Sequence, residues 1–161
     1  MAKYQVIIGR AENIDFVGTS LDVPAKIDTG AFRSSVHASG IKEATNKDGE
    51  KVLKFNLFGH PCAPVKRAVE TDRYDKLDIK SSNGSVETRY EVTLKIKIGA
   101  KIFNTSFTLA DRSNNVYPVL IGRKALTSRF MVDPAKSSVQ RLDLKREFGI
   151  LSAEDEEDLE D

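Results

Sequence analysis

The sequence contains few of the residues that cross-link a chain or anchor it in a membrane. Its 161 residues include one cysteine, Cys62, two histidines and no tryptophan. A single cysteine excludes an internal disulfide, so noncovalent packing must hold the fold, as is usual in a reducing compartment. No run approaches the roughly 18 apolar residues of a membrane-spanning helix, and the first ten residues lack a signal-peptide pattern. We therefore predict a cytoplasmic protein with no membrane partner.

Charge is distributed unevenly along the chain. There are 25 basic and 24 acidic residues, and 7 of the acidic ones lie in residues 152–161, which contain no basic residue. Residues 1–151 keep 17 acidic residues and a net charge of +8. The acidic block is typical of a disordered tail, whereas the remaining length suits one domain with a single core. We predict a domain at 1–151 and a disordered acidic tail at 152–161, with contact between the tail and a basic groove as the alternative.

Alternation of apolar and polar residues predicts a mostly β protein. The clearest run covers residues 86–98 and resumes at 103–109 after Gly99, which indicates a long antiparallel hairpin. The residues expected to face solvent in this run are Glu87, Arg89, Glu91, Thr93, Lys95 and Lys97. Further strand-length runs lie at 4–8, 23–27, 52–58, 65–69, 116–121 and 130–132. One short helix is predicted at 123–129, and residues 139–144 are compatible with a last strand or a packing segment.

One short motif has the residues needed for carboxylate chemistry. Asp28-Thr29-Gly30 follows the apolar run 23–27. Hydrolysis of a peptide bond by carboxylates requires two of them sharing a proton, one as base towards water and one as acid towards the carbonyl oxygen. Glycine permits the tight turn, and the threonine hydroxyl can hydrogen-bond to a partner loop. Taken alone, however, the triplet is typical of an ordinary turn.

The source of the second carboxylate follows from the number of motifs. The chain has a single Asp-Thr-Gly triplet and is too short for a second lobe, so a second copy of the chain would have to supply the other carboxylate. Asp111 and Asp133 are the alternatives within one chain, although neither lies in such a turn. We therefore expect a homodimer with one Asp28 from each subunit.

A second pattern strengthens the first. Residues 119–123, Val-Leu-Ile-Gly-Arg, read as an apolar strand that ends in Gly122-Arg123 and leads into the short helix. Together with Asp28-Thr29-Gly30-Ala31, this segment resembles the retroviral-type aspartic proteases, or retropepsins. The resemblance implies a closed β-barrel, a catalytic Asp28, and structural support of its loop by Ala31, Gly122 and Arg123.

The chain is also similar, over about residues 4–136, to a bacterial and archaeal family labelled ATP-dependent zinc protease and described as retropepsin-like. The segments that carry this similarity are VPAKIDTGA (23–31), SSVHA (34–38), KSSNG (80–84), RY (89–90), LADRS (109–113), YPVLIGR (117–123) and VDP (132–134). Members are often encoded beside ATP-grasp ligases that add glutamates to proteins. The resemblance thus implies such a ligase as partner. Together with the net charge of +8 on residues 1–151 and the acidic tail, the resemblance suggests a peptide or protein substrate rich in glutamate.

Retroviral-type enzymes close a glycine-rich hairpin, the flap, over the substrate. The candidate here is Ser82-Asn83-Gly84, between two strand-like runs and between the two halves of the motif. A plain surface hairpin turn is the alternative interpretation.

Other chemistries have weaker support. His37, His60 and Cys62 are the nitrogen and sulfur donors available for zinc, but they lack metalloprotease spacing, so we expect no metal. No phosphate-binding glycine loop is present, which predicts no ATP cofactor in this chain. Scattered basic residues without interleaved aromatics argue against nucleic acid. We predict an aspartic endopeptidase, with a non-catalytic scaffold for an ATP-grasp ligase or a zinc-dependent peptidase as alternatives.

Overall fold

The computed structural model describes residues 6–80 and 83–149, which form eleven strands and two helices. The first six strands are β1 (Val6–Ile8), β2 (Ala11–Phe16), β3 (Ser20–Ile27), β4 (Ser34–Thr45), β5 (Lys51–Leu57) and β6 (Arg67–Thr71). The remaining elements are β7 (Tyr74–Lys80), β8 (Val86–Ile98), β9 (Lys101–Ala110), β10 (Val119–Ile121), α1 (Arg123–Leu126), β11 (Phe130–Val132) and α2 (Arg141–Phe148).

Six strands close into a barrel in the order β10, β3, β2, β8, β9, β4. The short strand β10 completes the ring because it pairs in parallel with β3 and antiparallel with β4. Strand β4 is in turn parallel to β9, which forms the predicted hairpin with β8. The predicted fold class, mostly β with a closed barrel, is therefore confirmed.

The barrel interior is filled by side chains that alternate along the strands. Phe16 lies at the centre, with ring centroids 5.2 Å from Phe58 and 5.5 Å from Phe107. Burial of each such side chain contributes about 2 kcal/mol. Other core residues that are almost fully buried are Ile14, Leu53, Leu57, Ile96, Ile98 and Ile121.

Three additions surround the barrel. Strands β5 and β6 continue the sheet from the outer half of β4, and β7 pairs with the N-terminal half of β8. Strand β1 runs parallel to β11. Helix α2 ends at Gly149, whose left-handed conformation (φ 83°) lets its N–H reach the carbonyls of Lys145 and Arg146.

Several details differ from the sequence predictions. There are two helices where one was expected, and α2 occupies the region in which a last strand was considered. Helix α1 stops at Leu126, three residues short of the predicted end, because Thr127 leaves the helical conformation. Residues 4–5, Ser82 and the tail 152–161 lie outside the described residues. No helix in the described part of the chain is long and apolar enough to cross a membrane.

Candidate active site

Asp28 begins the loop that follows β3. Strand β10 runs beside the end of β3, with Ile121 opposite Ile27, and the Asp28 N–H donates to the Ile121 carbonyl at 2.8 Å. The Asp28 side chain accepts the N–H of Gly30 at Oδ1, 2.9 Å away. Asp28 is half-buried, whereas Thr29 and Gly30 are exposed. The loop thus fixes a carboxylate on the surface while its backbone remains bonded to the barrel.

Arg123 holds the other side of this loop. Its Nη1 donates to the carbonyls of Thr29 (3.3 Å) and Gly30 (3.1 Å), and its backbone N–H donates to the Ala31 carbonyl at 2.8 Å. The side chain is exposed, and its guanidinium carbon lies 5.9 Å above the ring of Phe32. Because the guanidinium presents a rigid set of donors, it can join two consecutive carbonyls that would otherwise face solvent.

Gly122 allows the segment 119–123 to approach the end of the Asp28 loop closely. A methyl group at this position would lie 2.6 Å from the carbonyl oxygen of Arg33 and 2.8 Å from that of Phe32. The Gly122 N–H donates to the buried Ser34 hydroxyl at 3.0 Å. Glycine is therefore required by close packing of backbone on backbone rather than by an unusual dihedral angle, since its φ is −98°.

Glu91 is a member of this region that the sequence pattern missed. The alternation in β8 predicts that it faces solvent, but it is only 8% exposed. Its Oε2 accepts a hydrogen bond from Arg33 Nη1 at 2.6 Å, and its Oε1 lies 3.7 Å from Lys124 Nζ. These two cations cover the carboxylate. Nothing in the spacing of β8 distinguishes Glu91 from its exposed neighbours, so only the tertiary structure identifies it.

Cationic groups surround the loop. Arg33 follows Phe32 at the end of the Asp28 loop, and Arg123 and Lys124 directly follow Gly122. The guanidinium carbon of Arg33 also lies 5.9 Å from the centroid of the Phe32 ring. Glu91 is the acidic side chain that contacts two of these cations. Arg33 and Lys124 are thus paired with Glu91, whereas Arg123 is bonded to the Thr29 and Gly30 carbonyls.

Asp111 and Asp133, the alternative carboxylates within one chain, are each hydrogen-bonded within their own turn. Asp111 accepts hydrogen bonds from the side chain and backbone of Ser113, and these contacts lower the pKa of its carboxyl group. Asp133 accepts the Ala135 N–H at 3.0 Å. Both carboxylates therefore cap their own turns.

The histidines named as zinc donors lie together in the interior. The rings of His37 and His60 meet edge to face, with centroids 5.5 Å apart. His60 Nδ1 accepts the Cys62 N–H at 3.0 Å, so its proton is on Nε2, which donates to the Asn115 carbonyl at 2.7 Å. His37 Nδ1 accepts the Arg112 N–H at 2.9 Å. Desolvation is the main reason that the pKa of each histidine is lowered.

Within 6–80 and 83–149, no three histidine, cysteine, aspartate or glutamate side chains are grouped so that they could hold an ion. Cys62 is buried and directs its thiol towards the Leu144 carbonyl at 3.6 Å. Desolvation, with a smaller effect of Glu147, raises the pKa of the Cys62 thiol to about 11, which disfavours the thiolate needed for nucleophilic catalysis.

The candidate flap belongs to the hairpin of β7 and β8. Tyr74 pairs with Val92 and Lys80 with Val86, so Asn83 and Gly84 lie in the connecting turn. Gly84 has a φ of 86°, which favours glycine. Asn83 and Gly84 thus form part of a turn between two paired strands.

The closed six-strand barrel, with an Asp-Thr-Gly loop bound to an apolar-Gly-Arg strand, defines the retropepsin class of fold. The family model described as "RimB-like: Retropepsin-like aspartic endopeptidase RimB" matches residues 7–142. The chain therefore belongs to the RimB-like family.

Relatives with curated names are longer than this chain. One from Shewanella halifaxensis, named "Probable alpha-L-glutamate ligase", is 34% identical over 163 residues, covering 95% of this chain and 34% of that protein. One of the same name from Desulfotalea psychrophila is 33% identical over 133 residues, covering 80% and 28%. The chain thus spans about a third of the length of these relatives.

A solved structure has a similar fold. It is a protein of unknown function from Legionella pneumophila, with 30% sequence identity and a TM-score of 0.67, and the match covers 83% of this chain and 97% of that one. The similarity therefore covers nearly all of a separate protein of this fold.

Proposed function

We propose that the protein is an aspartic endopeptidase whose catalytic dyad consists of Asp28 from two copies of the chain. The observation that carries the proposal is the Asp28 loop itself: a carboxylate that is half-buried, presented at the end of a barrel strand, and fixed by Ile121, Gly122 and Arg123. Thr29 and Gly30 remain exposed, where the loop of a second subunit can contact them.

The chemistry requires two such carboxylates. One would accept a proton from a water molecule as the water oxygen attacks the carbonyl carbon of the peptide bond. The other, protonated, would donate its proton to the carbonyl oxygen. Collapse of the tetrahedral intermediate then breaks the C–N bond: the carboxyl group that took the proton from water gives it to the leaving amine nitrogen, and a hydroxyl proton of the intermediate returns to the other carboxylate as the new carboxyl group forms. Arg123 and Gly122 support this chemistry by positioning the loop, and neither takes part in proton transfer.

The proposed substrate is a glutamate-rich extension of a protein. Support comes from the net charge of +8 on residues 1–151 and from the exposed side chain of Arg123 beside the loop. The names of the relatives also indicate an association with glutamate ligation. A positively charged cleft would raise the local concentration of such a substrate and its rate of association.

A mixing experiment tests the shared dyad. Asp28→Asn should leave the melting temperature unchanged, because the side chain is half-buried and the amide oxygen can still accept the Gly30 N–H. It should reduce cleavage of a mixed peptide library by at least about a thousandfold, as expected for loss of a catalytic group. Added in excess to the wild type, the variant should also inhibit it by forming mixed dimers.

Other outcomes would contradict the proposal. Wild-type activity that is insensitive to excess Asp28→Asn would indicate a site within one chain. Cleavage that survives Asp28→Asn but stops with a chelator would indicate a metallopeptidase. For the substrate, oligoglutamate conjugates should be cleaved and matched oligoglutamine conjugates should not, and equal cleavage of the two would exclude a preference for glutamate.

A second candidate function is a non-catalytic domain that assists an ATP-grasp glutamate ligase. It is favoured by the relatives, because this chain corresponds to about a third of proteins named as ligases. A monomeric chain without Asp28-dependent cleavage that binds such a ligase in sedimentation experiments would support this function over the peptidase.

A further inference from the structure

Glu91 occupies an unusual position for a carboxylate. It lies on the outer face of β8, as do Thr93 and Lys95, which are exposed, yet it is itself buried. Removing a carboxylate from water is costly unless cations and hydrogen bonds compensate. The two contacts of Glu91 provide this compensation, and both come from the proposed active site.

The first contact joins Glu91 to the end of the Asp28 loop. Arg33 Nη1 lies 2.6 Å from Glu91 Oε2, the distance of a strong charge-assisted hydrogen bond. The backbone of Arg33 is also the surface against which Gly122 packs. Arg33 therefore links Glu91 to the Asp28 loop and, through its backbone, to Gly122.

The second contact joins Glu91 to the start of α1. Lys124 Nζ lies 3.7 Å from Glu91 Oε1, and the Lys124 N–H donates to the Phe32 carbonyl at 3.0 Å. Since Arg123 precedes Lys124 and holds the Thr29 and Gly30 carbonyls, this contact also leads back to the Asp28 loop.

Glu91 also marks the point at which β8 leaves the barrel. The β8–β9 pairing begins at Glu91, which is opposite Thr108, whereas residues 86–90 pair with β7 alone. Beyond Glu91 the hairpin is therefore a two-stranded ribbon, and such ribbons are only marginally stable without further contacts. A fixed contact at its base constrains the direction in which the ribbon extends.

We propose that Glu91 is a positioning residue that couples the β7–β8 hairpin to the Asp28 loop. Through Arg33 and Lys124, it orients the base of the hairpin relative to the catalytic carboxylate. The binding of substrate then restricts less motion of the hairpin. The inference rests on the proposed peptidase function for its kinetic consequence, but the coupling itself is a property of the chain alone.

Amide hydrogen exchange tests the coupling without substrate. Glu91→Gln keeps the size of the side chain and removes its charge. Exchange should accelerate by about tenfold in residues 74–80 and 86–90 and at Gly30 and Ala31, the size expected for loss of one charge-assisted hydrogen bond. Exchange in β5, which pairs with β4 and β6, should be unchanged. Glu87→Gln is the matched control, because Glu87 lies on the same face of β8 and is exposed.

A kinetic measurement adds a second readout. Glu91→Gln should raise KM and lower kcat/KM by about tenfold, because a freer hairpin loses more conformational entropy when it closes on substrate. The kcat value should change little, and Glu87→Gln should resemble the wild type. A double-mutant cycle with Arg33→Gln should give a non-additive effect, since both substitutions remove the same contact.

The results separate the two proposals. Exchange that is unchanged in Glu91→Gln, or that rises equally in β5, overturns the coupling, as does an equal effect of Glu87→Gln. If the wild type shows no cleavage that depends on Asp28, the peptidase proposal fails, while the exchange pattern still decides whether Glu91 links the hairpin to the loop.

Discussion

Two polar regions of the molecule are held in the fold in opposite ways. In the Asp28 loop, the backbone is bonded to β10 and α1, whereas the side chains of Asp28 and Thr29 remain partly or fully exposed. In the cluster of His37, His60 and Cys62, the side chains themselves are buried and bonded. Polar groups that satisfy one another internally stabilise the fold, whereas a carboxylate held by its backbone stays available for chemistry.

The largest effect should come from the backbone contact that supports the Asp28 loop. Gly122→Ala would place a methyl group 2.6 Å from the Arg33 carbonyl oxygen, and we expect the free energy of unfolding to fall by about 3 kcal/mol. Urea denaturation measures the loss. Gly18→Ala is the control: Gly18 has open space but a φ of 78°, so strain alone should cost about 1 kcal/mol. Equal losses of unfolding free energy in the two variants would show that the Arg33 carbonyl does not restrict the side chain at position 122.

The buried cluster should differ from the loop in reactivity. With the pKa of its thiol raised to about 11, Cys62 should react with iodoacetamide at about pH 8 at least about a hundredfold more slowly in the native chain than in urea. Mass spectrometry of quenched samples follows the reaction. Similar native and denatured rates would mean that the thiol is accessible and that the cluster opens readily.

The smallest expected effect is a pH dependence of stability. The pKa values of His37 and His60 are lowered in the folded protein from the ordinary 6.5, so below pH 6.5 the unfolded chain binds more protons than the native one. Stability from these groups is therefore complete above pH 6.5 and is lost as the pH falls towards the folded pKa values.

Melting temperatures between about pH 7.5 and about pH 5.5 measure this effect, in a range where most carboxylates stay ionised. The wild type should melt at a lower temperature at the acidic end. His60→Gln should show a shallower dependence, because one of the two shifted groups is removed. A flat profile in the wild type would mean that the two histidines titrate normally.

The alternation of apolar and polar residues was sufficient to predict the strands in which it is strongest. The run at 86–98 coincides with β8, 130–132 coincides with β11, and the hairpin partner of β8 is where the pattern resumes. Strand β10 covers Val119–Ile121 and is shorter than the predicted run 116–121, since residues 116–118 lie before the segment that pairs with β3 and β4. Helix α2 was missed because its sequence, RLDLKREF, is mostly polar and its buried face is provided by few residues, such as Leu144.

The residues of the candidate site also divide into those that a sequence motif identifies and those that only the fold identifies. Asp28, Gly122 and Arg123 could be named because short motifs identify them, and the structure brings the Asp28 loop into contact with the segment 121–123. Their catalytic and supporting roles stay predictions. Glu91 could not be found, since its burial depends on Arg33 and Lys124, which are distant in sequence and approach it only in the folded chain.

The insertion of β10 between β3 and β4 also has a consequence for the order of folding. Residues 119–121 must pair with partners near residues 25 and 36, so the Asp28 loop depends on contacts between distant parts of the sequence. During synthesis, the loop therefore cannot reach its final geometry until Arg123 has left the ribosome. A nascent chain that already carries Asp28 would lack the contacts of this loop with Ile121 and Arg123 until most of the barrel had been made.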